Sequence, residues 1–339
     1  MEKKLFDYAI GNPPYHESQN LTSDNPVYHI LMDAAYKVSS KAEFITPARF
    51  LFNAGKTPKD WNQKMLQDEH FKVQTYEPNA SKIFPNTEIK GGVAITYRDE
   101  TKNYGAIGIF TKYEELNLIL KKVVRTDFLP INNIIYLQNK WNLQELYKEH
   151  PECQKQIGSN GKERRLTTSI FSTLDIFRDT EKEGDVRILG LIKNNRIYKY
   201  IPKKYLDQNS NINSYKVILP KVNGIGAFGE TLATLLIASP GTGFTQSFIS
   251  IGTFKTENEA NSALKYIKSK FARAMLNVLK ITQDNNSDVW KYVPLQDFTS
   301  NSDIDWSKSI HEIDLQLYKK YGLTNEEIQF IETNVKEMV

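Results

Sequence analysis

The sequence predicts an α/β layer followed by a mixed α+β region, and three observations carry that expectation. Over the first hundred residues, short apolar runs alternate with segments of helical period, the pattern of strands linked by crossing helices. The length of 339 residues suits about two domains of roughly 100–200 residues each. Around Asp99 to Tyr104 the chain turns polar (Asp-Glu-Thr-Lys-Asn-Tyr), which sets a boundary between 1–102 and 103–339.

The elements follow in order. Leu5 to Ile10 reads as a buried strand, broken at Gly11 and two prolines. Val27, Tyr28, Leu31, Ala34, Ala35 and Val38 fall at helical spacing, predicting a helix over 25–39 capped by Ser23-Asp24-Asn25. Ala42 to Thr46 is a short strand ended by Pro47. Asp60 to Leu66 is helical, with Trp61 and Met65 on one face. Phe71 to Tyr76 and Val93 to Tyr97 read as strands, the latter entered through Gly91-Gly92. This order gives a parallel sheet with an antiparallel closing hairpin. Beyond the boundary, helices are expected at 112–124, 141–149, 256–279 and 306–320, and strands at 186–192, 215–219, 232–238 and 246–251. Thr324 to Glu327 fits a capping box, with Gly322 closing the helix before it.

Composition narrows the function classes. With 40% hydrophobic and 25% charged residues the chain is ordinary for a soluble globular protein. No apolar run approaches the ~18 residues of a membrane span, and Met1-Glu2-Lys3-Lys4 opens no signal-peptide core. A single cysteine, Cys153, excludes an internal disulfide framework and suits a reducing cytoplasm. The five histidines show no paired spacing, which argues against a zinc site. Net charge is only +4, so its distribution carries more than its size. Basic clusters recur after residue 160: Lys162/Arg164/Arg165, Lys193/Arg196/Lys199, Lys203/Lys204 and Lys265/Lys268/Lys270/Arg273. Interleaved with Tyr198, Tyr200, Tyr205 and Tyr215, they point to a surface that contacts phosphates.

The most informative stretch is Asp7-Tyr8-Ala9-Ile10-Gly11-Asn12-Pro13-Pro14-Tyr15. Paired prolines fix φ, bias Asn12 toward an extended conformation and remove two amide donors. The carbonyls of Asn12 and Pro13 are then free to accept from another group, and Tyr15 offers a flat face just beyond them. Such an arrangement suits a planar, amino-bearing ring.

This stretch resembles motif IV of the amino-group DNA methyltransferases, specifically the gamma-type adenine-N6 enzymes of restriction–modification systems. Phe44-Ile45-Thr46-Pro47-Ala48-Arg49-Phe50-Leu51 is similar to the family's strand after the motif helix. Ser81-Lys82-Ile83-Phe84-Pro85, followed by Gly91 to Arg98, is similar to its last conserved block, where Phe84 best matches an aromatic on the far side of the extruded base from the motif tyrosine. Trp290 to Phe298, Ser302 to Trp306 and Ile313 to Leu323 resemble blocks of the family's target-recognition domains. The resemblance implies the second half of a Rossmann-like, S-adenosylmethionine-dependent methyltransferase domain (1–102), followed by a mixed α+β DNA target-recognition domain with a helical tail (103–339). It implies a catalytic set of Asn12, Pro13, Pro14 and Tyr15, with Tyr15 and Phe84 stacking on the base. It also implies double-stranded DNA as partner, with Lys162, Arg164, Arg165, Lys193, Arg196 and Lys199 as contacts.

In that family the cofactor loop precedes the motif. Here the motif stands near the first residue, so the expectation is that a partner or upstream polypeptide carries the cofactor-binding half. Two later glycine-rich stretches do not replace it. Gly224-Ile225-Gly226-Ala227-Phe228-Gly229 matches a dinucleotide fingerprint, but an apolar run of strand type follows where a helix is needed, and no ribose-binding acid stands at the required spacing. Ser239-Pro240-Gly241-Thr242-Gly243-Phe244 has serine where the family's cofactor loop has an acid. Both read as loops of the recognition domain. Cytosine-C5 chemistry would need a cysteine nucleophile, and Cys153, in a charged helix end, reads as a bystander. The competing expectation is a sequence-specific DNA-binding module that transfers nothing.

Overall fold

The computed structural model describes residues 4–17, 25–53, 55–89, 91–125, 127–207, 211–280 and 282–338. The chain divides into two compact units, 1–117 and 118–339. The division falls later than the polar stretch at 99–104 because Ile107 and Phe110 still pack on the first unit's core, and the Gly108 amide donates to Leu66 O.

The first unit is built on a four-stranded sheet. Its strands are β1 (Phe6–Gly11), β2 (Ser39–Pro47), β3 (Phe71–Glu77) and β4 (Val93–Asp99), in the spatial order β1-β2-β4-β3. β1 and β2 are parallel, and Gly11 lies opposite Phe44. β4 is antiparallel to both β2 and β3. The strands β1, β2 and β3 therefore run the same way, with the hairpin's return strand inserted between β2 and β3. The helices are α1 (Tyr28–Val38) and α2 (Lys59–Gln67). Tyr28, Met32, Trp61 and Met65 pack with Phe44, Phe50 and Phe71 into one core. α1 starts later than its periodicity suggests: Asn25 and Pro26 pair with Glu17 and His16 as a short ladder, and Val27 is the cap residue, with no side-chain cap bond. Ser23 and Asp24, expected to cap it, lie outside the described residues.

β1 pairs with β2 alone among the described strands, so its other edge is open. Leu5, Phe6 and Ile10 stand 75%, 60% and 76% exposed beside it. A strand that reads as buried in sequence is thus the least covered of the four-stranded sheet.

α3 (Glu114–Val123) spans the division. The second unit holds two sheets and a helical end. One sheet orders β9 (Leu236–Ala238), β8 (Tyr215–Pro220), β11 (Phe248–Phe254) and β5 (Ile135–Tyr136). The other orders β10 (Thr242–Phe244), β6 (Asp185–Ile192) and β7 (Asn195–Pro202). The hairpin β6–β7 turns at Lys193-Asn194, both at positive φ, the two-residue turn whose twist matches that of strands. The short helices α4 (Leu143–Glu149), α5 (Glu152–Ile157) and α6 (Ile170–Thr173) contribute to a core around Trp141, with Cys153 fully buried inside it.

The expected helix 256–279 is two: α7 (Glu257–Lys268) and α8 (Lys270–Leu276), separated by Ser269, whose hydroxyl caps α8 through the Ala272 amide. α9 (Ile310–Tyr321) ends at left-handed Gly322, and α10 (Asn325–Asn334) opens with the Thr324–Glu327 capping box, both as expected. The expected strand 232–238 is shorter, because Thr234 takes a positive φ and only Leu236–Ala238 pairs.

Candidate active site

Because β1, β2 and β3 are codirectional, everything leaving their carboxyl ends leaves the sheet at one edge. Asn12 to Tyr15 follow β1, a short 3-10 segment from Ala48 to Phe52 follows β2, and the loop 78–92 with Phe84 follows β3. Open α/β sheets place ligands at this edge.

The motif itself lies outside regular structure. Asn12 and Pro14 are exposed, while Pro13 and Tyr15 are half-buried. Among the described residues, the Asn12 and Pro13 carbonyls accept no main-chain hydrogen bond beyond the strand ladder. Tyr15 is anchored by its backbone: Tyr15 O accepts from the Val27 amide at 3.2 Å, which ties the motif to the start of α1. Its hydroxyl is sunk and has no partner among the described groups, and burial pushes the phenol up to about 12. Tyr15 is therefore a partly inserted ring with a buried polar tip.

Three further buried polar atoms of this unit lack a described partner: Thr46 Oγ1, His29 Nδ1 and Trp61 Nε1. Thr46 closes β2 at the same edge, and His29 stands in the first turn of α1 with its ring 5.5 Å from that of Trp61. Burial lowers the His29 imidazole's pKa, with Asp33 opposing. Sequence reading missed His29 and used Thr46 only as part of a block. The usable signal was a polar residue at the buried end of a strand, just before proline.

Phe84 is half-buried in a tight turn. Its amide donates to Ala80 O at 2.8 Å and its carbonyl accepts from the Thr87 amide at 3.1 Å. The rings of Tyr15 and Phe84 form no aromatic pair among the described residues. The loop closes on its own start at Gly92, at φ +76, where a Cβ would lie 2.4 Å from Glu77 O. Gly92 O in turn accepts from the Ala48 amide, so β2, β3 and β4 are pinned together where the site loops emerge.

The six nominated basic residues divide. Arg164 is ion-paired to Asp207 at 2.7 Å and Lys199 to Asp179 at 2.5 Å. Arg196 is half-buried, donates to Thr234 O and lies over the Phe248 ring. These three make contacts within the fold. Lys162, Arg165 and Lys193 are exposed, Lys193 at the β6–β7 tip. Of the interleaved tyrosines, Tyr205 is core and donates to Glu149, whereas Tyr198 is exposed beneath Arg187. The Lys265–Arg273 cluster is structural: Lys265 caps the carbonyls of Trp306, Ser307 and Lys308, Lys270 pairs with Glu332, and Arg273 is buried.

The Gly224–Gly229 loop cannot cradle a phosphate. The Glu230 carboxylate already accepts from the Ile225 and Gly226 amides and is ion-paired to Lys280. A Cβ at Gly224 would lie 2.1 Å from that carboxylate, so glycine is needed for the protein's own acid to fit. The Ser239–Phe244 stretch is likewise taken up by structure, since Thr242–Phe244 pair with β6. Burial pushes the Cys153 thiol up, which removes it as a nucleophile. Among the described residues no cluster could hold a metal ion, and no helix is long and apolar enough to cross a membrane.

A mixed α/β unit with its loops gathered at the strand carboxyl ends is the frame of a ligand-binding domain. The family model of the Eco57I restriction-modification methylase matches residues 1–84, about a quarter of the chain. Two solved structures also resemble the chain: the Type IIL restriction-modification enzyme MmeI in complex with DNA (10% identity, TM-score 0.35, 96% of this chain and 56% of that one), and the type IIG restriction endonuclease BpuSI (8% identity, TM-score 0.34, 92% and 48%). The chain spans about half the length of each. No curated protein sequence matches significantly.

Proposed function

We propose that this chain supplies the base-binding side and the DNA-recognition region of a site-specific adenine-N6 DNA methyltransferase. The observation that carries the reading is the position of Asn12-Pro13-Pro14-Tyr15 at the carboxyl edge of three codirectional strands, within the segment similar to restriction-modification methylases. An exocyclic adenine amine is a weak nucleophile because its lone pair is delocalised into the ring. Asn12 Oδ1 and Pro13 O each accept one N–H, which draws the nitrogen toward tetrahedral geometry and fixes its direction. That contribution is positional and electrostatic, with no covalent intermediate. The adenine leaves the duplex at a cost of a few kcal/mol, and contact with the Tyr15 ring offsets it. Phe84, on the loop after β3, closes the far side of the base.

S-adenosylmethionine, the methyl source this chemistry uses, finds no fitting cradle among the described residues. Glu230 fills the Gly224–Gly229 nest and Thr242–Phe244 is a strand. The cofactor-binding half is supplied by a further segment, upstream or on a partner chain, that adds a strand to the open edge of β1. The exposed Leu5, Phe6 and Ile10 support that reading, because long apolar edge strands otherwise invite aggregation. The alternative, a DNA-binding module without transfer, draws on the same misfit.

Long-read methylome sequencing of hosts carrying the locus, with the chain intact or as Asn12→Ala, separates the two. N6-methyladenine at one defined sequence, lost in the variant, is the expected outcome. An unmodified genome, or a methylated cytosine, would overturn the enzyme reading.

A further inference from the structure

The loop joining β8 to β9, residues 221–235, presents Ile225 at 83% exposure and Val222 at 57%. Beneath these side chains the backbone is held firmly. The Ile225 and Gly226 amides donate to Glu230, Asn223 Nδ2 donates to Thr231 O, and the Asn223 amide donates to Gln283 O. Buried Lys280 ties Glu230 to the Asn223 and Thr282 carbonyls. A rigid frame thus holds two aliphatic side chains out in water.

Both ends of the loop join cation-bearing segments. At the start, the Lys221 amide donates to Ser247 O, the Ser247 hydroxyl donates to Thr168 Oγ1, and the Gln246 amide donates to Leu166 O, next to Arg165. At the end, Thr234 O accepts from Arg196, on the strand that follows the Lys193 tip. Carboxylates on the adjoining segments are internally engaged: Asp284, bridged to Val222, accepts from the Asn286 amide and side chain, and Glu230 is paired with Lys280.

We propose that this loop is a DNA wedge: Ile225, with Val222 beside it, enters a groove of the duplex and inserts at a base step, while Arg165, Lys193 and Lys221 contact the flanking phosphates. The proposal rests on the DNA reading above. Aliphatic side chains that part base steps need a frame that does not yield and surrounding cations that hold the polyanion against them, and both are present. The cations commit the occupant to nucleic acid over an apolar protein surface.

The test uses the full chain and closed circular plasmid relaxed by topoisomerase. Wedge insertion unwinds DNA, so the wild type should shift the linking number, and Ile225→Ala should lose most of that shift. Its affinity for short duplexes should be about tenfold weaker, the change expected when burial of one aliphatic side chain is lost, with the salt dependence unchanged. Ile225→Met keeps an apolar wedge and should restore both readouts. Since Ile225 is exposed, circular dichroism should report unchanged folding. Wild-type binding without unwinding, or Ile225→Ala behaving as wild type, overturns the wedge alone. A wild type that binds no duplex overturns the DNA reading with it. Self-association lost in Ile225→Ala, with DNA behaviour unchanged, assigns the loop to a protein contact and also overturns it.

Discussion

Replacing Glu230 with alanine isolates the clamp that shapes the second unit's glycine loop. The substitution removes the acceptor for the Ile225 and Gly226 amides and leaves the Lys280 ammonium, whose side chain is fully buried, without its counter-charge. Breaking a buried pair from one side costs about 3–5 kcal/mol, chiefly for the uncompensated charge. For a unit of about 220 residues that corresponds to a fall in Tm of roughly 6–20 °C. Scanning calorimetry or urea unfolding of the full chain measures it, and the transition affected should be that of the second unit. Glu230→Gln combined with Lys280→Met removes both charges while the amide oxygen still serves the loop. The double variant should therefore lose only about 1–2 kcal/mol, the scale of the Lys280-to-carbonyl bonds. A pH series adds a signed check. Burial opposes ionisation of Glu230, but Lys280 and the two amides outweigh it and hold the carboxyl below its ordinary range. Its folded value lies below its unfolded one, so the stabilisation is present above the unfolded value and is lost as pH falls through the folded one. Wild type should lose stability more steeply than Glu230→Gln as pH drops below about 4. A Glu230→Ala cost under about 1 kcal/mol, or a double variant no more stable than that single one, would refute the clamp.

Three other outcomes follow from the geometry. In the proposed methyltransferase, Asn12→Ala should abolish transfer, whereas Tyr15→Ala should weaken base contact by about 1–3 kcal/mol and leave slow turnover; single-turnover kinetics distinguishes them. Joint substitution of Lys162 and Arg165 should lower the slope of log K against log salt by about 1.8, at ~0.9 per phosphate, while Arg164 and Lys199, already ion-paired, should lower it far less in the same titration. Gly92→Ala should destabilise the first unit by more than the roughly 1 kcal/mol typical of point substitutions, because its φ is positive and its Cβ would strike the Glu77 carbonyl; urea unfolding checks this.

Much of the first unit was legible because its signals are local. The apolar runs at 42–46, 71–76 and 93–97 became β2, β3 and β4, each extended by one or more residues at an end, and Trp61 and Met65 share the buried face of α2. Strand order was not legible, since insertion of β4 between β2 and β3 is fixed by non-local pairing. In the second unit β7 went unread: Asn195 to Pro202 alternates cations with tyrosines, and its turn, Lys193-Asn194, contains no glycine to announce it. Charge was the least legible property. A lysine exposed to solvent and one that caps main-chain carbonyls read alike in sequence; only the structure separates Lys162 from Lys265.

Both units hold buried polar atoms without a described partner, and where such atoms lie bears on where a ligand can bind. A buried polar atom left without a partner costs about 1–3 kcal/mol, so a fold tends to answer it internally. Around its glycine loop the second unit does so: Glu230 answers the loop amides, Lys280 answers Glu230, and Arg273 answers the carbonyls of Gly229 and Lys268. A phosphate approaching that loop would have to displace a carboxylate already matched to it. The first unit leaves Tyr15 Oη, Thr46 Oγ1 and His29 Nδ1 without a described partner, two of them at the edge where three strands end, and leaves the β1 edge open beside them. Binding that answers these groups stabilises the folded state in proportion to the logarithm of ligand concentration. DNA should therefore raise the unfolding temperature of both units, whereas a segment that adds a strand to the open edge of β1 should raise that of residues 1–117 and leave the clamp-dependent transition of the second unit unchanged.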